Sequence, residues 1–206
     1  MTWYHYLTSA AFLLCLTSLS YHFIRLIRLG APKDYSRRTG NLRSAIAYSF
    51  LGAMSPGKKE SAFLHLPTYA AGLLYHAGTF TSIALFFLFF FNIYIEGWPR
   101  WAAIGALAVS GLSGIGILVK RATVRKLRFL SNLDDYISNV LVTLFQFLTL
   151  GMLVKEVFAP FYFLCASLLL LYLPMGKLKH GLYFFAARYH LGFFYGWRGI
   201  WPLKKS

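Results

Sequence analysis

Long apolar stretches alternate with short, mostly basic connections along the whole chain, and this alternation predicts several membrane-spanning helices. A run of about 18 or more mostly apolar residues is typical of a transmembrane helix. Five such stretches predict helices at about 3–27, 66–95, 101–119, 136–154 and 161–189. We therefore expect an all-α integral membrane protein with five transmembrane helices, forming a single membrane domain over residues 1–206.

The connection after the first predicted helix contains a shorter amphipathic stretch at 41–54. Asn41 is a suitable N-cap residue, and the residues after it place apolar side chains on one face. Pro56 and Gly57 would end such a helix. We expect a short helix lying in the membrane interface within this first inner loop.

Positive charge is concentrated on one side of the predicted topology. The formal net charge is +15, from 21 Lys and Arg and six Asp and Glu. Of the 21 cations, all but Arg100 and Lys155 fall in the connections after the first and third helices or in the C-terminal region. Because cytoplasmic loops carry the excess of Lys and Arg, we expect the N-terminus outside and the C-terminus inside. Blocks of charge placed between spans also argue against a nucleic-acid partner.

Two histidines lie within or at the edge of the apolar part of the predicted helices. An ionisable residue in a membrane helix is costly and indicates a function. His76 lies 16 residues from Asn92, and His180 lies 18 residues from Tyr162. At ~1.5 Å per residue, both are roughly 24–27 Å from the outer face, on helices running in opposite directions. This is the arrangement that haem ligation by two imidazoles needs. The alternative is two unrelated histidines hydrogen-bonded inside a helix bundle.

Other residues fit a haem between these helices. Gly72 and Gly78 flank His76 and leave room for a porphyrin face. Pro174 removes the backbone hydrogen bond to the Leu170 carbonyl, which bends the fifth helix before His180. Four cations predicted at the inner surface are candidate partners for the haem propionates: Arg43, Arg121, Arg125 and Lys177.

A second candidate site lies nearer the inner surface. His65 precedes His76 by 11 residues and His190 follows His180 by 10, so on antiparallel helices both shifts move inward by ~15 Å. Together with Tyr69 they could hold a second haem or flank a quinone headgroup. The alternative is that they are interfacial residues in an amphipathic belt.

Two motifs resemble a known family. The pattern Pro-x-Gly-Lys-Leu-x-His from Pro174 to His180 resembles the last helix of the cytochrome b (gamma) subunit of respiratory nitrate reductase. The segment from Ser55 through His65-Leu66-Pro67-Thr68-Tyr69 to Tyr75-His76-Ala77-Gly78 resembles one branch of that family. The branch comprises the membrane subunits of heterodisulfide-reductase-like and quinone-interacting membrane-bound oxidoreductase complexes. The resemblance covers nearly the whole chain.

The resemblance implies a haem b whose iron is ligated axially by His76 and His180, in a prokaryotic cytoplasmic membrane. It also implies a membrane quinone, menaquinone in particular, and cytoplasmic iron–sulfur subunits as partners. Relatives carry a second haem nearer the outer face, but the corresponding positions here are Phe86 and Tyr162. We therefore expect the outer haem to be absent, and a quinone could use that space or the inner region.

The expected function is that of an electron-transfer subunit rather than an enzyme with its own catalytic residues. Six carboxylates, nearly all in loops, argue against a proton-pumping core. Two imidazole ligands leave no open position on the iron, which suits electron transfer between a quinone and an iron–sulfur subunit. The alternative is a haem-free membrane anchor of a redox complex; a transporter is disfavoured because no repeat is evident.

Overall fold

The computed structural model describes residues 2–29, 35–55 and 66–203. Of the described residues, 81% are helical and none belongs to a strand. The all-α prediction is therefore confirmed. Contacts divide the chain into two compact units. The first comprises Met1–Cys15 and Pro67–Leu178, and the second comprises Leu16–Leu66 and Lys179–Ser206.

Eight α-helices lie in the described ranges. They are α1 (Trp3–Leu29), α2 (Leu42–Phe50), α3 (Leu66–Phe90), α4 (Trp98–Thr123), α5 (Arg125–Phe129), α6 (Leu133–Val154), α7 (Ala159–Tyr172) and α8 (His180–Trp197). Short 3-10 helices at Glu156–Phe158 and Lys177–Lys179 precede α7 and α8.

Four of the described helices, α1, α3, α4 and α6, are long and apolar enough to cross a membrane. A fifth span is present if Glu156–Tyr172 and Lys177–Trp197 are counted together as one interrupted crossing. The multi-pass membrane character is thus confirmed, while the orientation and the number five remain predictions.

Capping residues explain where several helices begin and end. Asn132 and Asp135 form a capping box, with Asp135 N–H donating to Asn132 Oδ1 at 3.1 Å and Asn132 N–H donating to Asp135 Oδ2 at 3.0 Å. This box starts α6 at Leu133, a turn earlier than predicted. Helix α3 ends at Phe90 because Asn92 adopts a left-handed conformation with φ 57°. The predicted extension to residue 95 was wrong.

The predicted fifth helix is not continuous. The α-helix ends at Tyr172, and the next begins only at His180. Pro174 has no N–H to donate to the preceding turn, and the Gly176 N–H donates to the Tyr172 carbonyl at 2.8 Å to close the end. A continuous helix bent at Pro174 was therefore the wrong expectation, and the count of 18 helical residues from Tyr162 to His180 loses its basis.

The core of the first unit is aromatic. Tyr162 stacks on Phe145 with ring centroids 5.5 Å apart, and it meets Phe89 edge to face at 5.8 Å. The ring centroid of Phe86 lies 6.5 Å from those of Phe145 and Phe163. Buried aromatic rings of this kind provide large contact areas in preferred edge-to-face and offset geometries. They join α3, α6 and α7.

In the second unit, α2 packs closely on α8 through small residues. A Cβ placed on Gly192 would lie 2.6 Å from Ile46 Cα, and one on Gly196 would lie 2.5 Å from Ala45 Cβ. The hydroxyl of Ser49 donates to the Arg188 carbonyl at 2.8 Å. The predicted helix in the first inner loop is confirmed at Leu42–Phe50, capped by the Asn41 side chain, which accepts from Ser44 N–H at 3.2 Å.

Candidate functional site

One face of α3 belongs to a buried polar network in the first unit. Gln146 is completely buried, and its amide nitrogen donates to the Tyr75 carbonyl at 3.1 Å and to the Thr79 hydroxyl at 2.8 Å. Its amide oxygen accepts from Ser110 at 2.8 Å. The Tyr75 hydroxyl lies 3.0 Å from the Thr143 hydroxyl. These bonds tie α3, α4 and α6 together where a membrane offers no water to satisfy polar groups.

Gly78 lies on this packed face. A Cβ on Gly78 would lie 2.1 Å from Ser110 Oγ and 2.2 Å from Ser110 Cβ, and the residue is buried. Gly78 therefore makes room for α4. A porphyrin could pack against Gly78 only by displacing α4, which does not agree with the predicted haem-packing role of this glycine.

His76 lies on a different face of α3. Its side chain is exposed, and a Cβ on Gly72, one turn earlier, would meet no atom of the described residues within 4 Å. Tyr69, three residues before Gly72, shares this side of the helix and is half-buried. Tyr69, Gly72 and His76 thus form a stripe distinct from the network around Gln146.

His180 is the first residue of α8. Its side chain is exposed, and a Cβ on the following residue, Gly181, would meet no atom of the described ranges within 4 Å. His180 belongs to the second unit, whereas His76 belongs to the first.

Two of the four candidate propionate partners are engaged by a carboxylate. Asp135 is buried, and Arg121 NH1 lies 3.2 Å from its Oδ1. The Lys177 ammonium also contacts Asp135 Oδ1. Arg121 NH1 additionally donates to the Ser131 hydroxyl at 3.1 Å. These contacts join α4, α6 and the segment after α7. Arg121 and Lys177 therefore stabilise the packing of the first unit.

The other two candidate cations are at the surface. Arg125 is exposed, with its guanidinium 5.9 Å from the Phe129 ring centroid, and Arg43 is exposed on α2. Neither position conflicts with a role toward an anionic group.

The candidate inner site is described only in part. His65 lies outside the described residues. His190 is half-buried on α8, and its Nε2 is a buried atom with no hydrogen-bond partner among the described residues. Its ring meets Tyr189 edge to face at 5.5 Å. A buried imidazole nitrogen of this kind is a group that a ligand or a water would satisfy.

The space expected near Phe86 and Tyr162 is filled. Phe86 is 6% exposed and Tyr162 is completely buried, and both are surrounded by the aromatic rings of the core. A quinone placed between these side chains would have to displace them. This region is therefore a packed part of the bundle.

Sequence reasoning missed a cavity of about 230 Å³ in the first unit, where α3 ends and α4 begins. Arg100 closes one side, with its Nε and NH2 donating to the Leu153 and Val154 carbonyls at 2.6 and 3.3 Å. Burial, together with the negative charge of Glu156, raises the pKa of Tyr94. The lining residues are Phe89, Tyr94, Ile95, Glu96, Arg100, Met152, Leu153, Val154, Lys155 and Glu156. The isolated cations Arg100 and Lys155 were the available sequence signal for it.

The described residues contain no group of three or more His, Cys, Asp and Glu side chains that could hold a metal ion. Ligation of a haem iron by two histidines does not require such a group. No protein-family model, no curated protein and no solved structure matches this chain. The family resemblance therefore depends on the sequence motifs alone.

Proposed function

We propose that this chain is a haem b-binding subunit of a membrane oxidoreductase, with His76 and His180 as the axial ligands of the iron. The observation that carries the proposal is the position of His76. It is an exposed, ionisable side chain in the middle of a membrane-spanning helix, where such a residue is costly unless it has a function.

The surroundings of each histidine support a flat cofactor. A Cβ placed on Gly72, one turn before His76, or on Gly181, directly after His180, would meet no atom of the described residues within 4 Å, which leaves room for a ring at these two positions. The bound haem would supply reversible one-electron transfer, and the protein would hold it and exclude other ligands from the iron. Gly78 is not assigned a part in this site, because Ser110 occupies the space beside it.

The electrons would pass between a membrane quinone, menaquinone by resemblance, and cytoplasmic iron–sulfur subunits. Among the described residues, the cavity at Tyr94 and Arg100 offers room for a small ring, with apolar side chains such as Phe89 beneath polar ones. Exposed Arg125, Lys126 and Arg128 on α5 provide a cationic surface for an acidic partner.

A haem count on the purified protein tests this proposal. We expect a pyridine haemochrome assay to give one haem b per chain, and His76→Ala and His180→Ala each to abolish it. His22→Ala, which removes a histidine from α1, is the matched control and should retain the haem. Well-folded protein without haem, from cells that make haem, would refute the proposal. Two haems per chain would direct attention to His65 and His190.

A second candidate function is a haem-free anchor of a redox complex. The observation that favours it is the polar network around Gln146, which is satisfied within the first unit without any cofactor. Gly72→Leu separates the two candidate functions. A Cβ at this position would meet no atom of the described residues within 4 Å, so the larger side chain should leave the fold unchanged and occupy the space proposed for the haem. The cytochrome proposal expects a lower haem content with unchanged folding, and the anchor proposal expects no spectral change.

A further inference from the structure

The described residues of the second unit carry cations and no carboxylate. The described part of the second unit carries Arg25, Arg28, Arg37, Arg38, Arg43, Lys179, Arg188 and Arg198, and residues 16–29, 35–55 and 179–203 contain no Asp or Glu. None of these eight cations is buried. The described carboxylates, Glu96, Asp134, Asp135 and Glu156, all belong to the first unit.

The cations of α8 are placed over aromatic rings. The Arg198 guanidinium carbon lies 3.7 Å from the Phe194 ring centroid, and that of Arg188 lies 5.6 Å from the Phe184 centroid. Phe184 and Phe194 are 37% and 47% exposed, so each pair presents a ring and a charge together at the surface. Other large apolar side chains exposed in the same unit include Leu51, Phe185, Tyr189, Leu191, Ile200 and Leu203.

Small residues form the closest part of the contact between α2 and α8, which involves Gly192, Gly196, Ala45 and Ser49. At the end of α2, the Phe50 ring centroid lies 6.4 and 6.2 Å from those of Phe184 and Phe185, which keep an exposed side. The Thr39 N–H donates to the Trp197 carbonyl at 2.9 Å and fixes the chain before α2 to the end of α8. We call residues 35–50 and 179–203 the α2–α8 platform.

We propose that the α2–α8 platform binds the headgroups of anionic phospholipids at the membrane surface. Its arginines and lysine would contact phosphate groups, and its exposed aromatic rings would lie at the level of the headgroups, where such rings are enriched. Each Lys or Arg near an anionic bilayer surface adds to the attraction. This proposal goes beyond the electron-transfer function and does not depend on the haem.

A protein partner fits this surface less well. Arginines and aromatic rings occur at protein interfaces as well. The platform, however, has cations and no anion among its described residues, so it suits a uniformly acidic surface, which a layer of anionic headgroups provides. The tail that follows Gly192 is thereby assigned to lipid. An iron–sulfur partner would then use the cations of α5 in the first unit.

Titration of a short-chain phosphatidylglycerol into the full-length protein in neutral detergent tests the proposal, with phosphatidylcholine as the reference lipid. We expect tighter binding of phosphatidylglycerol and about a fivefold loss of its affinity for each arginine removed in Arg188→Gln/Arg198→Gln. The control pair is Arg125→Gln/Arg128→Gln on α5. It removes the same charge, including an arginine over an exposed ring, but leaves the platform intact.

Equal affinity for the two lipids would overturn the proposal, and so would an equal loss in the control pair, which would indicate general attraction to a basic protein. Haem content is measured on the same samples. Arg188 lies eight residues after His180, about two helical turns along α8, and Arg198 lies beyond the end of that helix. Because neither arginine is assigned as a ligand or a propionate partner, we expect the haem count to be unchanged. A lipid effect without a haem effect therefore separates this proposal from the cytochrome proposal.

Discussion

At the scale of single residues, the two glycines beside His76 have opposite surroundings. A methyl group on Gly78 would overlap the side chain of Ser110, whereas one on Gly72 would meet no neighbour within 4 Å. Gly72 precedes His76 by four residues and Gly78 follows it by two, so the two glycines lie on different faces of α3. Gly78 lets α3 and α4 approach closely, whereas Gly72 lies outside the contacts between the described helices.

We predict that Gly78→Ala destabilises the protein by about 1–3 kcal/mol, because the added methyl forces α3 and α4 apart. Gly72→Ala is the control and should cost nothing in the free energy of unfolding, since its Cβ meets open space and alanine favours a helix. Unfolding in mixed detergent, followed by circular dichroism, measures both. Combining Gly78→Ala with Ser110→Gly should recover part of the loss, and no recovery would contradict the proposed contact.

The sequence could not distinguish these glycines, because the distinction depends on neighbours far along the chain. Ser110 is 32 positions from Gly78, and no local pattern reveals which face of α3 it covers. The same holds for Arg121 and Lys177. Charge patterning predicts only that these two residues are cations of the inner surface, and it does not reveal that they share Asp135 as a partner.

At the scale of helices, the starts and stops that have local chemical causes were the most predictable. Asn41 was recognised as a cap before α2, and its side chain does cap that helix. Asn132 and Asp135 carry the corresponding signature for α6, which sequence reasoning placed three residues late. The interruption before α8 was underestimated, since Pro174 and Gly176 together end a helix that a proline alone can merely bend.

Asp135 connects three elements, and its replacement tests how much that connection stabilises the bundle. Asp135→Asn keeps a side chain that can accept the cap hydrogen bond but removes the charge that Arg121 and Lys177 share. We expect a loss of about 1–3 kcal/mol, because charge-assisted hydrogen bonds to a buried carboxylate are stronger than neutral ones. Thermal unfolding of the purified protein measures it.

The neighbouring carboxylate provides the control. Asp134 is half-buried and accepts only a long hydrogen bond, 3.4 Å from Ser138, among the bonds described for it. Asp134→Asn removes the same charge and should change stability by less than about 0.5 kcal/mol. If the two variants were equally stable, the contacts of Asp135 would contribute little, and Lys177 would not hold the segment before His180 against α6.

At the scale of the whole molecule, the first unit is held together by contacts among its own residues. Its polar network is satisfied internally, its aromatic core is filled, and its cations at Asp135 are paired. Composition and hydrophobic periodicity were sufficient to predict the membrane class and most helices. They could not predict that the polar residues of α6 would meet Tyr75 and Ser110, because hydrogen-bond partners across helices leave no periodic signal.

The number of membrane crossings is the remaining property at this scale. Helix α7 has 14 residues, about 21 Å at ~1.5 Å per residue, which is short of a hydrocarbon core of about 30 Å. Charge argues that the chain nevertheless crosses here. Residues 177–206 contain six of the 21 cations. Without a crossing, these six would join Arg100 and Lys155, and the distribution of cations would be 13 to 8 instead of 19 to 2.

We therefore predict that the C-terminal segment lies on the inner side, with the basic connections, and that the interrupted pair of helices counts as one span. Single cysteines at three exposed positions test this in right-side-out vesicles: Trp98→Cys, Leu130→Cys and Leu203→Cys. A membrane-impermeant maleimide should label Trp98→Cys in sealed vesicles and the other two only after permeabilisation. Native Cys15 and Cys165 are buried and provide the background. Labelling of Leu203→Cys in sealed vesicles would instead require four spans, and His180 would then lie on the outer side, away from the predicted depth of His76.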